Sequence, residues 1–226
     1  MRKEPKASGG RGSCEDDIPG WEGAYRKKAY VEVHPHQDAG FLDDLFSKNG
    51  VKRILDLGCG DGRHLVYFAR CGYGMFGLDS APTAIELAEK WLMREGAYGE
   101  LVCTDMSTIP WHSDYFDAVI CINTINHHRL EAIRRTVSEI HRVLRKDGWL
   151  FVTAQTNRPK PSDLTKKGEW VELEPNTYEW LVGHEKGVPH HFFDMDELLE
   201  LFKRFRIEEM HEDDRTYRCI LARKIE

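Results

Sequence analysis

Gly58, Gly60 and Gly62 stand at alternate positions directly behind a short apolar run, Ile54, Leu55 and Leu57, which holds one acid, Asp56. A helical pattern through Leu65, Val66, Phe68 and Ala69 starts at once after them. A strand that turns through glycines into a helix brings bare main chain close to a ligand, because glycine has no Cβ and accepts positive φ. Nucleotide-binding dehydrogenases space these glycines as Gly-x-Gly-x-x-Gly, so the tighter Gly-x-Gly-x-Gly counts against that class. Polar groups recur where later apolar runs end: Asp79 with Ser80, Asp105 with Met106, and Asn123 behind Cys121 and Ile122. In an open parallel sheet such strand ends gather along one edge, where a ligand sits.

The elements that must position these groups follow from periodicity. From about Gln37 onward, short apolar runs alternate with amphipathic helices, the pattern of a parallel sheet covered on both faces. Strands are expected over 53–57, 73–78, 101–104, 116–122 and 149–154. A helix through Phe41 and Phe46 stops at Asn49-Gly50, and the helix behind the glycines ends near Cys71-Gly72. Ser80 is expected to cap the next helix, with Pro82 in its first turn and Gly96 closing it. Leu130, Ile133, Val137, Ile140 and Leu144 have helical spacing and run toward Asp147-Gly148. The stretch 157–191 reads as irregular, and Asp194 with Glu197 forms a capping box for a further helix. Alternation over 206–210 and 217–222 predicts an antiparallel edge pair. Asp117, at the far end of its strand from the ligand, is expected to be structural.

Composition sets bounds. The 226 residues suit one α/β domain, expected over 20–226, with 1–19 as a disordered tail rich in Gly, Lys, Arg and Asp. Lys plus Arg number 32 against 38 acids, a net charge of −6, which weighs against a nucleic-acid partner. The six cysteines show no Cys-x-x-Cys pair or metal-ligand spacing, so reduced thiols and a cytoplasmic location are expected. No apolar run approaches the ~20 residues of a membrane span.

Leu-Asp-Leu-Gly-Cys-Gly-Asp-Gly-Arg-His, followed by Gly-Leu-Asp-Ser, Cys-Thr-Asp-Met, Phe-Asp-Ala-Val and Glu-Ile-His-Arg-Val-Leu-Arg-Lys-Asp-Gly, resembles the successive motifs of class I S-adenosylmethionine-dependent methyltransferases. The closest look is to the broad group that includes ubiquinone-biosynthesis and tellurite-resistance enzymes. The similarity covers roughly 41–153, with one departure at a turn, where Lys146-Asp147-Gly148 replaces the group's usual Lys-Pro-Gly-Gly. The resemblance implies a Rossmann-like α/β fold: a seven-stranded, mostly parallel sheet, helices on both faces and an antiparallel C-terminal edge pair. It also implies S-adenosylmethionine as cofactor and S-adenosylhomocysteine as product. On this reading Asp56, Gly58, Cys59, Gly60, Gly62 and Arg63 surround the methionine tail. Asp79 and Ser80 take the ribose, Asp105 and Met106 the adenine, and Cys121 and Asn123 lie beside the tail and sulfonium.

The acceptor side is expected in two variable segments. His127 and His128 follow the fourth strand where an acceptor would approach the methyl, and His128 could serve as general base. His190 and His191 could line the acceptor pocket, with His191 a second catalytic candidate. Either pair could equally be packed histidines, and nothing in the sequence shows that the pairs meet, so no metal is assigned. Trp21, Tyr25 and Tyr30 suit a lid over the cofactor, since aromatic faces attract a sulfonium cation. Trp170, Tyr178 and Trp180 suit the wall of an acceptor-side insertion over 157–191. A small-molecule acceptor and a monomer or homodimer are expected. Alternatives are a tRNA or protein methyltransferase, which would need a basic rim, and a non-catalytic scaffold subunit.

Overall fold

The computed structural model describes residues 18, 20–27, 34–156 and 168–226. Apart from Ile18, the expected tail lies outside the described residues, as do Tyr30 and residues 157–167. The main sheet is built from β1 (Arg53–Leu57), β2 (Gly74–Asp79), β3 (Gly99–Cys103), β4 (Phe116–Cys121), β5 (Leu144–Gln155), β9 (Phe205–Glu212) and β10 (Tyr217–Lys224). Their order across it is β3-β2-β1-β4-β5-β10-β9. The first five run parallel, while β10 is antiparallel to both β5 and β9. The seven-stranded sheet with its antiparallel edge is therefore as expected. The chain passes from one half of the sheet to the other between β1 and β4, so the ends of these neighbours open a crevice at the switch point.

Six helices are described: α1 (Gly20–Arg26), α2 (Ala39–Lys48), α3 (Arg63–Arg70), α4 (Pro82–Arg94), α5 (Leu130–Val143) and α6 (Met195–Leu201). Alternation along the central strands divides the core in two. Ile54, Ala118 and Ile120 pack with Phe46, Phe68 and Leu92 from α2, α3 and α4. Leu55, Leu57, Val119 and Cys121 face the other way, toward Ile133, Ile140 and Leu198 of α5 and α6. Every residue of β4 is buried, as a central strand covered on both faces requires. At its N-terminal end Asp117 accepts from Lys52 N and Arg53 N at 2.8 Å each, the structural role expected of it.

Three local expectations are corrected. The N-cap of α4 is Ala81 and not Ser80, and no side chain caps at that position. The helix through Leu130 ends at Val143, because Leu144 already pairs with Phe116 and opens β5. The stretch expected to be irregular carries a second, antiparallel sheet of β6 (Trp170–Glu174), β7 (Thr177–Trp180) and β8 (Pro189–His191). Main-chain bonds from His191 N to Asn126 O (2.8 Å) and Phe193 N to Gln155 O (2.9 Å) hold this sheet against the ends of β4 and β5. Asp194 caps α6 by accepting from Glu197 N at 2.8 Å, which is half of the expected capping box, since the Glu197 carboxylate goes to His191.

Gly62 is the N-cap of α3 at φ 99°, and a Cβ there would sit 3.0 Å from Ala88 Cβ and 3.1 Å from Ala88 Cα. Gly72 has a similar φ of 94° but open space around it. Gly62→Ala is expected to cost about 1–3 kcal/mol beyond the backbone strain that Gly72→Ala incurs alone. Urea unfolding of the two variants side by side measures the difference; equal midpoints would remove the α3–α4 packing term.

Candidate functional site

A cavity of about 460 Å³ occupies the crevice at the carboxyl ends of the parallel strands. At one end β1 turns into α3 through Gly58 (φ 74°) and Gly60 (φ 55°). Gly58 N and Cys59 N both donate to Leu78 O, at 2.7 and 3.0 Å, so the turn hangs on the end of β2. Cβ atoms would not fit: one on Gly58 would meet the Thr124 side chain at 2.2 Å, and one on Gly60 the Tyr25 hydroxyl at 2.5 Å. Asp79 binds the turn directly. Its Oδ2 accepts from Gly60 N and its Oδ1 from Ala81 N, both at 2.9 Å. Burial pushes this carboxyl above its usual range despite those bonds. Asp79 thus supplies the bonding to the start of α4 that was expected of Ser80, while both residues line the cavity.

Asp105 and Met106, behind β3, line the cavity further along. Burial pushes Asp105 upward, but hydrogen bonds from Ser107 N and Oγ and the imidazole of His128 outweigh it and hold the carboxyl below its usual value. His128 Nε2 lies 3.0 Å from Asp105 Oδ2. That contact directs the His128 ring toward the end of β3, where Asp105 stands.

The opposite end is closed by segments outside the main sheet. Trp21 of α1 packs on His127 with ring centroids 4.7 Å apart, and His127 packs on His190 at 4.9 Å. The two histidine pairs therefore do meet, through one member of each. His190 Nδ1 lies 3.0 Å from Val188 O, and its Nε2 lies 3.3 Å from Glu185 Oε2. The hydrogen bond to His190 holds Glu185 below its usual carboxylate range. Burial, aided by the neighbouring His190, pushes His127 down to about 3, so its imidazole is neutral at physiological pH. No hydrogen bond reaches either ring nitrogen of His127 among the described residues. Asn123 adopts φ 56°, unusual for a residue other than glycine. Thr153 Oγ1 accepts from Asn123 N at 2.7 Å and donates to Asn123 Oδ1 at 3.1 Å, which leaves the amide NH₂ as the unused group.

The lid expected from Trp21 and Tyr25 is α1, and it is fastened at both sides of the cavity. Glu22 accepts from Thr83 N (3.0 Å) and Thr83 Oγ1 (2.8 Å) at the start of α4, while Gly20 N donates to Lys186 O at 2.8 Å.

Of the residues singled out in the sequence, Gly58, Cys59, Gly60, Arg63, Asp79, Ser80, Asp105, Met106 and Asn123 line the cavity. So do Trp21, Tyr25, His127, His128, Trp180 and His190. Others do not. Cys121 is fully buried on the α5 side of the sheet, and Gly62 serves helix packing. Tyr178 is covered by Trp170 and Phe192. His191 is fully buried, bonded through Nδ1 to Thr177 Oγ1 and through Nε2 to Glu197 Oε2, at 2.8 Å each, so a catalytic role does not fit it. Glu22, Glu185, Arg215 and Tyr217 had no sequence signal, since only the fold brings them to the site.

Asp56 is also absent from the cavity wall. It is 1% exposed, its Oδ2 has no hydrogen-bond partner, and the nearest imidazole nitrogen, His64 Nδ1, is 4.0 Å away. Burial, together with the charge of Asp79, raises its pKa to about 8 from 3.8. Between those values the folded protein holds a proton that the unfolded chain has released. The contribution of Asp56 to the stability of the ligand-free protein is therefore lost as the pH rises from about 4 to about 8, opposite in sign to that of His127, whose imidazole burial pushes down. The difference in urea midpoint between Asp56→Asn and the unaltered protein should change across that range, and a constant difference would put the titration elsewhere.

Comparison with known proteins adds to this geometry. A family model described as a methyltransferase domain matches residues 54–148. A tRNA (carboxymethyluridine(34)-5-O)-methyltransferase of Arabidopsis thaliana is 26% identical over 182 residues, covering 76% of this chain and 42% of that protein. A ubiquinone biosynthesis O-methyltransferase of Nitrosomonas europaea is 23% identical over 143 residues, covering 62% and 59%. The chain thus spans about half the length of these curated relatives. Among solved structures, 1,6-didemethyltoxoflavin-N1-methyltransferase of Burkholderia thailandensis, with 1,6-didemethyltoxoflavin and S-adenosylhomocysteine bound, superimposes with a TM-score of 0.65 at 20% identity, covering 90% of this chain and 84% of that one. Residues 54–148 thus match a methyltransferase domain, and the strand order with its bare glycine turn is the fold that S-adenosylmethionine-dependent methyltransferases of known structure share.

Proposed function

We propose that this protein transfers a methyl group from S-adenosylmethionine to a small-molecule acceptor and releases S-adenosylhomocysteine. The observation that favours a small acceptor is the cover that α1 lays across the cavity. Helix α1 crosses the cavity, bonded to α4 through Glu22 and to the β7–β8 connection through Gly20, with Trp21 against His127. A polymer would need an open, basic trough, whereas the net charge is −6.

The cofactor, when bound, supplies a methyl group on a sulfonium. An acceptor's lone pair would bond that carbon, with the C–S pair left on sulfur. The protein's part is alignment and exclusion of water. The main chain at Gly58 and Gly60 offers close approach to the tail. Asp79 has lone pairs beyond those that hold Gly60 N and Ala81 N, and these suit ribose hydroxyls. Trp21 and Tyr25 bring aromatic faces and exclude solvent. Asn123 offers an N–H donor and neutral His127 an unused nitrogen, a pair that can orient an acceptor atom. With its conjugate acid disfavoured by burial, His127 acts by aiming a hydrogen bond and not by holding a full proton.

The Arabidopsis relative's name keeps a tRNA acceptor as the second reading. Incubating the protein with methyl-labelled S-adenosylmethionine and a fractionated cell extract separates the two. Label should enter the low-molecular-mass fraction; label in RNA or protein, or salt-sensitive retention of tRNA in a gel, would overturn the small acceptor. Calorimetry with S-adenosylhomocysteine tests the cofactor reading, and a total absence of heat would favour a scaffold.

Asp79→Ala should weaken S-adenosylhomocysteine binding by about 1.5–3 kcal/mol, the range for hydrogen bonds to a charged group. His127→Ala should leave that affinity within roughly twofold, a few tenths of a kcal/mol, while lowering label transfer. If His127→Ala instead removes cofactor binding, its position on the acceptor side is wrong.

A further inference from the structure

We propose that a zinc-class divalent cation binds at a second site, held by His36 Nε2, Asp213 Oδ2 and Cys219 Sγ, on the sheet edge behind the acceptor wall. These residues come from the segment before α2, the β9–β10 connection and β10, and one ligand atom from each lies within 4.8 Å of the other two. Two of them are already close, with His36 Nε2 3.1 Å from Asp213 Oδ2. Tetrahedral zinc, with bonds of about 2.0–2.3 Å, separates its ligands by about 3.3–3.6 Å, so a modest spread of this pair and a small inward shift of the thiol complete three corners. The fourth corner is left for water.

Each ligand is oriented by something other than the metal. Asp213 Oδ1 accepts from Arg215 N at 3.0 Å and Tyr217 N at 2.7 Å, which fixes the carboxylate and leaves Oδ2 pointing at His36. The main chain of His36 donates to His64 Nε2 at 3.1 Å, and its ring packs edge-on against Phe151 with centroids 5.7 Å apart. The Cys219 side chain is fully buried in β10. On its other side, His36 Nδ1 accepts from Asp38 N at 3.3 Å and lies 3.5 Å from Asp38 Oδ2, so ligation through Nε2 exchanges the bond from Asp38 N for a proton on Nδ1. With a cation on Nε2, the Nδ1 proton turns to that carboxylate, the arrangement in which metal-bound histidines commonly donate their other N–H. His211 Nε2 in turn lies 2.9 Å from Asp38 Oδ2, so it backs the outer carboxylate.

The donor set selects the ion. A thiol and an imidazole suit zinc, cobalt or a similar borderline metal and disfavour calcium and magnesium, which take oxygen ligands. Two carboxylates, Asp38 and Asp213, bring negative charge to a pocket that a dication would balance. Bound there, the cation would bridge the chain entering α2 to the hairpin whose Arg215 and Tyr217 line the acceptor end of the cavity.

Cobalt(II) is the probe, titrated into the full-length protein after chelator treatment and dialysis. The expected result is one equivalent bound, with a near-ultraviolet thiolate-to-cobalt band that zinc displaces. Cys219→Ser should abolish that band while circular dichroism stays unchanged. His36→Gln should weaken binding strongly, and Asp38→Asn roughly 10–100-fold, as for outer-shell carboxylates. His211→Gln should retain the band. The proposal fails if no band forms in the unaltered protein, or if the band survives Cys219→Ser, since exposed Cys71 or Cys103 would then be the ligand. It also fails if His211→Gln removes the band and His36→Gln does not. Should Cys219→Ser not fold, the His36 and Asp38 variants decide the matter alone.

Discussion

The cofactor end of this protein depends on one buried carboxylate. Asp79 accepts from Gly60 N with one oxygen and from Ala81 N with the other, so a single side chain joins the β1–α3 turn to the start of α4. Taking a carboxylate out of water costs several kcal/mol, and main-chain donors offset only part of that. The raised pKa is the visible remainder. The same group both shapes the glycine turn and lines the cavity. The turn could not take its path with side chains at Gly58 or Gly60, whose Cβ atoms would strike Thr124 and Tyr25.

The two ends of the cavity are built by different parts of the chain. The parallel strands and the turns behind them form the first. The second comes from α1, from the small sheet β6-β7-β8 and from the β9–β10 hairpin, none of which belongs to the parallel β–α alternation. Main-chain bonds fasten these additions to the scaffold: His191 N to Asn126 O, Phe193 N to Gln155 O, and Gly20 N to Lys186 O. Such a division lets the acceptor pocket vary while the cofactor cradle stays the same.

His190 and His191 illustrate why adjacent residues in one motif diverge. Successive side chains of a strand point to opposite faces, so His190 meets His127 in the cavity while His191 turns inward to Thr177 and Glu197. Parity likewise sends Cys121 into the α5 side of the core, although its position at a strand end suggested the cofactor. Gly62 shares the motif with Gly58 and Gly60, yet its bareness serves the approach of α4. The Glu197 of the capping box shows the same split, since its main chain completes the cap and its carboxylate goes to His191.

Sequence by itself determined the parallel sheet, its antiparallel edge, the glycine turn and the order of acids along the strand ends. All of these are local: apolar period, glycine spacing and residue type at a strand's end are each read within a few residues. Only the tertiary structure decided that His127 meets His190, that His128 turns to Asp105, that Glu22 latches α1 onto Thr83, and that His36 and Cys219 come together across the sheet edge. Those contacts join segments from about twenty to nearly two hundred residues apart. Packing and strand parity set them, and neither is written in any one stretch of chain.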